Sequence, residues 1–380
     1  MIPVLRRSLR QLVFLKPGFL FFHYSIGYGL FQVEIGTLEI SDFSSLLDSA
    51  IKRRRQLFEN LHAEQTDCYR LFNGVSDGLM GLTIDRYGPL VLIQTFREPL
   101  PSGESSGLPA SFENALRRAL PFSFFCVYNH RGKTAKQSFE LWHRPSAEAL
   151  VETECHESGL TYLIRARHSG IDPWLFLDLR AGRRRLFDCV QGCSVLNLFS
   201  YTCSAGIRAA ARGASQVWNV DFSASVLEVG NRNAQRNRIP SDRFRIIQED
   251  CLPVMRQLAD LPTIGRRNRT RRLPAFEPRH FDLVFLDPPA WSKGSFGAID
   301  VKGDYSSLFK PAVLIAKPSG GRILATNHVA SVDFDSWIEV LRRCAAKAGR
   351  PIRSLQKISP DADFHSFDHK PPLKIVICEV

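Results

Sequence analysis

The chain has 380 residues, 44% hydrophobic and 23% charged, which is a globular composition with room for more than one domain. Lysine and arginine total 50 against 38 acidic residues, and this net charge of +12 suits a polyanionic partner or an anionic membrane surface. Nine scattered cysteines without a Cys-x-x-Cys spacing argue for reduced thiols in a cytoplasm, and against a disulfide scaffold or a zinc site.

Residues 1–43 begin with basic side chains and continue as an apolar, aromatic stretch. Lys16, Pro17 and His23 interrupt this stretch, so it lacks the roughly 18 uncharged apolar residues of a membrane helix. We expect an N-terminal leader or a short accessory segment here, and no stable association with a membrane.

Residues 44–172 mix helical and strand-like patterns and predict a small α+β domain. Apolar residues at helical spacing alternate with turn signals and with period-two segments. The predicted elements are a helix over 44–61, strands over 79–85 and 90–95, a helix over 111–120, and strands over 124–129 and 160–166.

From residue 173 to residue 380 the pattern changes to alternating strands and helices. The strands are predicted over 195–199, 216–220, 244–248, 281–286 and 321–326, with helices over 205–211, 223–237, 252–258 and 305–314. Because these strands are apolar throughout, they predict a mostly parallel, doubly wound sheet with helices on both faces. A last strand is expected over 373–380, and antiparallel pairing is one option for it.

An arginine-rich insertion over 265–280 interrupts this alternation. It carries Arg266, Arg267, Arg269, Arg271, Arg272 and Arg279. We interpret it as an arm that contacts phosphates, because the guanidinium group matches phosphate geometry. A solvated loop is the alternative.

The stretch Phe-Asp-Leu-Val-Phe-Leu-Asp-Pro-Pro over 281–289, followed by Trp291, has the most chemical content. Pro288 and Pro289 cannot continue the strand, so the chain turns outward at its carboxyl end, where open α/β sheets bind ligands. Asp287 and the proline carbonyls then accept hydrogen bonds from a flat base, and Trp291 stacks on it. A strand that simply stops at a Pro-Pro turn is the alternative.

Three other strand ends carry polar residues that suit a cofactor. They are Asn197, Phe199, Ser200, Tyr201, Thr202 and Gly206 after the first strand, Asp221 and Phe222 after the second, and Asp250 and Cys251 after the third. Small residues at a helix start admit a ligand, Asp221 can accept two ribose hydroxyls, and Asp250 can accept an adenine amino group. Since Gly-x-Gly-x-x-Gly is absent, the ligand is an adenosine without a diphosphate, which points to S-adenosylmethionine. For Asp221, a helix N-cap is the alternative.

These motifs together resemble a known family, the bacterial class I S-adenosylmethionine-dependent methyltransferases of the 23S rRNA methyltransferase I/K-like group. The resemblance extends from about residue 44 to the C-terminus. It is carried by Asn197-Leu-Phe-Ser-Tyr-Thr-Cys203, Val220-Asp221, Asp250, Asp287-Pro-Pro-Ala-Trp291, Leu177-Asp178-Leu179-Arg180 and Arg70-Leu-Phe-Asn-Gly-Val-Ser-Asp-Gly-Leu-Met-Gly-Leu-Thr-Ile-Asp85.

The resemblance implies a Rossmann-like class I fold preceded by the smaller α+β domain, with S-adenosylmethionine as cofactor and no metal. RNA, as 23S rRNA, is then the expected partner, in the cytoplasm and in rRNA processing. The expected catalytic positions are Asp287, Pro288, Pro289 and Trp291; Arg180 and Asp287 join the cofactor residues named above; Lys293, Arg266, Arg267 and Arg271 are assigned to RNA. Family members often begin with a PUA-type RNA-binding domain, for which residues 1–43 are too short and too apolar. RNA docking is therefore expected to rely on the α+β domain over 44–172 and on basic surfaces.

The atom that accepts the methyl group stays open at this point. A nitrogen could be held by Asp287 and the Pro288 carbonyl, whereas carbon 5 of a pyrimidine requires a thiolate that adds to carbon 6. Carbon methylators that resemble this chain can carry a cysteine after the fifth strand, where this chain has Asn327 followed by His328. Cys203 and Cys251 are the other candidate thiols.

Two alternatives to an RNA methyltransferase also remain. One keeps the cofactor and changes the acceptor to DNA, protein or a small molecule. The other is a non-catalytic RNA-binding module with a decayed methyltransferase core. The modified nucleotide and the oligomeric state are not legible in the sequence.

Overall fold

A computed structural model gives the fold of the chain. It describes residues 40–100, 108–131, 150–166, 172–186, 189–262, 274–294 and 297–380. The expectations for the first 39 residues, and for Arg266, Arg267 and Arg271, therefore lie outside the described residues, and only the backbone of Lys293 lies within them. No helix in the described ranges is long and apolar enough to span a lipid bilayer.

The first region pairs two helices with a four-stranded sheet. Its helices are α1 (Ile40–Ala63) and α2 (Ala110–Ala119), and its strands are β1 (Cys68–Asn73), β2 (Leu82–Tyr87), β3 (Leu90–Thr95) and β4 (Phe125–His130). The strands lie in the order β1-β2-β3-β4, antiparallel except for the β3–β4 pair, whose crossover contains α2. The predicted hairpin is thus β2–β3, with Gly88 at a φ of +57° in its turn.

The second region is a seven-stranded sheet whose strands follow one another mostly with intervening helices. Its strands are β7 (Ser194–Leu198), β8 (Gln216–Asp221), β9 (Phe244–Gln248), β10 (Leu283–Leu286), β13 (Arg322–Asn327), β14 (Ser354–Ile358) and β15 (Lys374–Glu379). They lie in the order β14-β15-β13-β10-β7-β8-β9, and all pairs are parallel except those that β15 makes with β13 and β14. The predicted mostly parallel sheet is confirmed, and the last strand is antiparallel.

Helices cover both faces of this sheet. They are α3 (Arg180–Arg185), α4 (Ser204–Ala211), α5 (Ala224–Arg236), α6 (Cys251–Leu258), α7 (Ser306–Ile315) and α8 (Phe334–Lys347). Successive residues of a strand point to opposite faces, so Val195 packs with α4 and α5, whereas Leu196 and Leu198 pack with α6, α7 and α8. This is the doubly wound α/β arrangement that the apolar strands predict.

Two hairpins complete the described fold. β5 (Glu152–Glu157) and β6 (Leu160–Arg165) lie between the two regions, and the Leu163 N–H donates to Asn233 Oδ1 on α5 at 2.8 Å. β11 (Trp291–Gly294) and β12 (Gly297–Asp300) extend from the segment after β10. The sequence patterns predicted β6 but none of β1, β5, β11, β12 or α8.

The two regions share one apolar core. Tyr87 and Leu92 of the first sheet belong to the same buried cluster as Val195 of β7 and Leu283 of β10. The other face of the first sheet packs against α1 and α2, where the rings of Phe43 and Phe112 stack with their centroids 3.8 Å apart.

A buried ion-pair network also joins the regions. The Arg180 guanidinium on α3 donates to Asp361 and to Asp363, both at 2.6 Å, and to the backbone carbonyl of Cys68 on β1 at 3.1 Å. Asp363 also accepts a hydrogen bond from the backbone N–H of Arg70 at 3.0 Å. Only 1% of the Arg180 side chain is exposed, so these charges are shielded from water.

We expect Arg180→Met to lower the free energy of unfolding by about 3–5 kcal/mol, because it leaves the buried Asp363 carboxylate without its ion-pair partner. Urea unfolding followed by circular dichroism measures this loss. The matched control is Arg342→Met, which removes an exposed ion pair with Glu339 at 3.7 Å and should cost less than about 1 kcal/mol. Equal losses in the two variants would contradict a structural role for the Arg180 network.

Candidate active site

The carboxyl ends of four parallel strands lie together at one edge of the large sheet. Leu198 of β7 is in register with Val220 of β8 and with Leu286 of β10, and Asp221 is in register with Gln248 of β9. The chain order reverses between β7 and β10, which is the point where an open α/β sheet forms a ligand-binding crevice. The loops that carry the predicted site residues therefore flank one crevice.

The loop after β7 has an unusual backbone. Phe199, Tyr201 and Cys203 have φ values of +56°, +49° and +62°, although none of them is glycine. Such conformations cost energy and persist where surrounding contacts enforce them, most often at ligand sites. Here the Ser200 N–H donates to the Val220 carbonyl at 3.0 Å and the Thr202 hydroxyl donates to the Trp174 carbonyl at 2.5 Å. Helix α4 starts directly after this loop, so the positive end of its dipole lies at the crevice.

Asp221 joins the loops after β7 and β8. Its carboxylate accepts the Tyr201 N–H at 2.9 Å and the Ser223 N–H at 3.0 Å, and burial raises its pKa above the usual value. Phe222, the next residue, exposes 57% of its surface. A half-satisfied carboxylate beside an exposed ring can take a ribose and stack a purine.

Asp250 and Cys251 follow β9 and begin α6. Asp250 caps the helix by accepting the backbone N–H of Leu252 at 3.1 Å, a role that the sequence did not predict for it. The Cys251 thiol accepts the Phe199 N–H at 3.1 Å and donates to the Val220 carbonyl at 3.4 Å. Burial raises its pKa well above the usual value, so this thiol supports the loop and is not ionised.

Three residues assigned to the cofactor have other partners in the structure. Asn197 is buried and donates to Asn219 Oδ1 at 2.9 Å. A Cβ atom on Gly206 would lie 1.9 Å from the same Asn219 oxygen, so glycine here allows α4 to approach the sheet. Arg180 is held in the ion-pair network described above. The contact of Asn197, Gly206 and Arg180 with a cofactor stays a prediction. In the structure, each of these residues contacts other residues of the protein.

Asp287 follows β10 and is held by residues of β13 and its loop. The Thr326 hydroxyl and the His328 Nε2 both interact with Asp287 Oδ1, the latter at 2.8 Å. Burial of the imidazole opposes its charge, but the carboxylates of Asp287 and Asp178 outweigh burial and raise the pKa of His328 to about 9. His328 is therefore an imidazolium at neutral pH.

Asp178 is a site residue that the pattern analysis quoted but did not assign a role. It lies just before α3, and its charge interacts with those of His328, Arg70 and Asp287. Burial raises its pKa although the charges of His328, Arg70 and Arg183 lower it. Its position in the Leu-Asp-Leu-Arg motif was the available signal, but nothing local indicated that it would face residues 109 to 150 positions later.

The segment after Asp287 presents an aromatic surface. Pro288 is buried and Pro289 is exposed, and Trp291 at the start of β11 exposes 61% of its surface. A tryptophan ring so exposed, four residues after Asp287, is suited to stacking on a flat group.

The arginine-rich insertion joins the protein at the opposite edge of the sheet. On its C-terminal side the Arg279 N–H donates to the Leu258 carbonyl at the end of α6, and the Arg279 guanidinium lies 5.0 Å from the Trp218 ring centroid. Residues 279–282 lead into the amino end of β10, whereas Asp287 follows its carboxyl end. The contact of the insertion and of Lys293 with RNA stays a prediction. In the ranges that the structure covers, His, Cys, Asp and Glu side chains form no group that could hold a metal ion.

Comparisons with known proteins agree with this geometry. Residues 69–377 match the family described as S-adenosylmethionine-dependent methyltransferase. The chain is 26% identical over 334 residues to the ribosomal RNA large subunit methyltransferase I of Escherichia coli K12 and to that of Shigella flexneri, covering 86% of this chain and 76% of each relative.

Two solved structures share the fold. One is the methyltransferase SMU.776 complexed with SAH, with a TM-score of 0.71, 22% identity, and coverage of 92% of this chain and 84% of that one. The other is a SAM-dependent methyltransferase from Streptococcus mutans, with a TM-score of 0.70 and the same identity and coverage.

In NMR spectra of histidine-labelled protein, we expect one histidine with a pKa above the ordinary histidine value and one with a pKa below it. His328 should lose its proton near pH 9, whereas burial and then the Arg86 charge lower the pKa of His62. Because the pKa of His328 is raised on folding, its pairing stabilises the protein fully below about pH 6.5 and ceases to do so as the pH rises through 9. Asp287→Asn should move the His328 titration to lower pH; an unmoved titration would refute the pairing.

Proposed function

The chain belongs to the S-adenosylmethionine-dependent methyltransferase family, and from that premise we propose that it transfers a methyl group to a base of RNA, with 23S rRNA as substrate. S-adenosylmethionine supplies an electrophilic methyl group on a sulfonium. The observation that carries the proposal is the held Asp287 carboxylate, followed four residues later by the exposed Trp291 ring, at the carboxyl end of the strand that pairs with β7 and its strained loop. The names of the curated relatives and the net charge of +12 support RNA as the acceptor.

The residues of the crevice fit the cofactor. Phe222 offers an exposed ring for the adenine, and Asp221 retains acceptor capacity for ribose hydroxyls because each of its oxygens accepts one backbone N–H. Asp250, the N-cap of the neighbouring helix, is the candidate acceptor for the adenine amino group. The amino end of α4 suits a carboxylate such as that of the methionine part. We therefore assign cofactor binding to the loops after β7, β8 and β9.

The base would be held by the loop after β10. Asp287 and the Pro288 carbonyl provide acceptors for the edge of the base, and stacking on Trp291 contributes about 1–3 kcal/mol. A base in a duplex cannot reach such a crevice, so the target leaves its stack before transfer. Alignment of the two reactants, which can lower a barrier by roughly 7–11 kcal/mol, is then the main contribution of the protein.

Protein-free 23S rRNA incubated with cofactor labelled in its methyl group should acquire label, because its loops and unfolded segments present accessible bases. Scintillation counting of the purified RNA measures the transfer. The control is single-stranded DNA of the same sequence, which should stay unlabelled. Labelling of the DNA alone, or of neither nucleic acid, would overturn RNA as the acceptor.

Two alanine variants separate the roles within the crevice. Asp221→Ala should weaken binding of adenosylhomocysteine by about tenfold to a hundredfold, the equivalent of losing hydrogen bonds of about 1.5–3 kcal/mol to a charged group. Asp287→Ala should abolish transfer and leave this affinity within about threefold of the parent protein, less than the 1.4 kcal/mol of a tenfold change.

Isothermal titration calorimetry measures the affinity and RNA labelling measures the transfer. Glu228→Ala, on the exposed side of α5, is the control that should change neither quantity. Equal losses of affinity in the Asp221 and Asp287 variants would contradict this division.

A further inference from the structure

Both hydrogen bonds that hold Asp287 end on the same oxygen atom. Thr326 Oγ1 and His328 Nε2 bind Oδ1, and within the described ranges no donor binds Oδ2. About 15% of the Asp287 side chain is exposed, so it is neither sealed in the core nor free in solvent. The carboxylate is thus fixed on one side and open on the other.

The open Oδ2 atom of Asp287 can bind only one kind of group. A carboxylate in contact with an imidazolium accepts hydrogen bonds and has no hydrogen to donate. The matching group on a nucleobase is therefore an N–H. A ring nitrogen without hydrogen or a ring carbon offers no such donor.

We infer that the methyl acceptor is a base nitrogen that carries hydrogen, most simply an exocyclic amino group, whose N–H donates to Asp287 Oδ2, and that Thr326 and His328 are positioning residues for this carboxylate. This inference rests on the proposed function and names the atom class on which it acts.

The thiol that carbon methylation requires has no counterpart beside Asp287. All nine cysteines lie in the described ranges, and the two near the crevice are Cys203 and Cys251. Cys203 is fully buried against Ser200, and burial raises its pKa to about 12. Cys251 is held beneath the loop after β7, as described above.

The position that can carry a cysteine in carbon methylators is occupied here by Asn327, the last residue of β13. This side chain is fully buried, and its Oδ1 accepts the Val329 N–H at 2.9 Å. The amide of Asn327 cannot act as the nucleophile that adds to a pyrimidine carbon. Its hydrogen bond to Val329 stabilises the turn that follows β13. The structure therefore supplies an acceptor for an N–H and lacks an accessible nucleophile.

The transfer balances without a further reactant. The lone pair of the amino nitrogen forms the new bond to the methyl carbon as the carbon–sulfur bond breaks and its electron pair stays on sulfur. The nitrogen becomes cationic and loses one proton, which Oδ2 accepts and passes to water. A carboxylate next to this nitrogen stabilises the positive charge as it develops.

The closing experiment uses the full chain and RNA that contains tritium at carbon 5 of its pyrimidines. After incubation with cofactor, tritium released to water is counted, and the RNA is digested to nucleosides for mass spectrometry. We expect an N-methylated nucleoside whose parent base carries an N–H at that nitrogen, with the tritium retained.

Release of tritium with a carbon-5 product, or a methyl group on the N7 of guanine or on a ribose, would overturn the inference and leave RNA methylation standing. If no RNA is methylated, the proposed function fails, and the inference falls with it. The two failures are therefore distinguishable.

Positioning by His328 is tested with His328→Gln and with the matched control Glu339→Gln, which removes one charge of the exposed pair between Glu339 and Arg342 on α8. The first variant should lower kcat by about tenfold to a hundredfold, because small misplacement of a reacting group has such effects, and should leave KM for RNA within about threefold. In the parent protein kcat should fall as the pH rises through 9, as the His328 charge is lost, and His328→Gln should lack this fall. A variant that keeps the fall, or that loses RNA affinity instead of kcat, would refute the positioning role.

Discussion

Asp221 accepts hydrogen bonds from two backbone N–H groups, one in its own loop and one in the loop after the neighbouring strand. The contact fixes Tyr201 in a left-handed conformation that a tyrosine rarely adopts, and Cys251 fixes Phe199 from the other side. Without these contacts the loop after β7 would relax by rotation about φ, and the start of α4 would shift with it. The crevice therefore has a defined shape before any ligand enters, which reduces the ordering that binding requires.

The parts of the fold that follow from local pattern could be predicted from the sequence. Apolar strands of four to six residues with helices between them indicate a parallel sheet, and β7, β8, β9 and β10 lie within about two residues of the expected bounds. β5 was not predicted because it alternates charged residues with Thr153, Cys155 and His156, and its pairing with β6 depends on the packing of that hairpin against α5. The helix α8 was not predicted, although the spacing of Trp337, Ile338 and Leu341, which line one buried face, is typical of a helix.

The candidate site also contains residues that could be predicted from the sequence and contacts that could not. Strand ends identify Asp221, Asp250 and Asp287, since chain position alone brings them to one edge. Partners of side chains depend on tertiary packing, which is why Asn197 faces Asn219 and Gly206 lies against the sheet, where the pattern suggested a ligand. The interaction of His328 with Asp178 and Asp287 could not be predicted either, because these three segments are far apart in the chain and meet only when the sheet is assembled.

Tyr87 and Leu92 of the first region share one buried apolar cluster with Val195 and Leu283 of the second, so the two regions cannot separate without exposing it. A hinge between the two regions would have to open this cluster to water, at about 25 cal/mol for each Å² of apolar surface, and would break the contacts of Arg180 as well. The buried cluster and the Arg180 contacts therefore oppose domain closure of the clamshell kind, and we expect the two regions to move as one rigid unit.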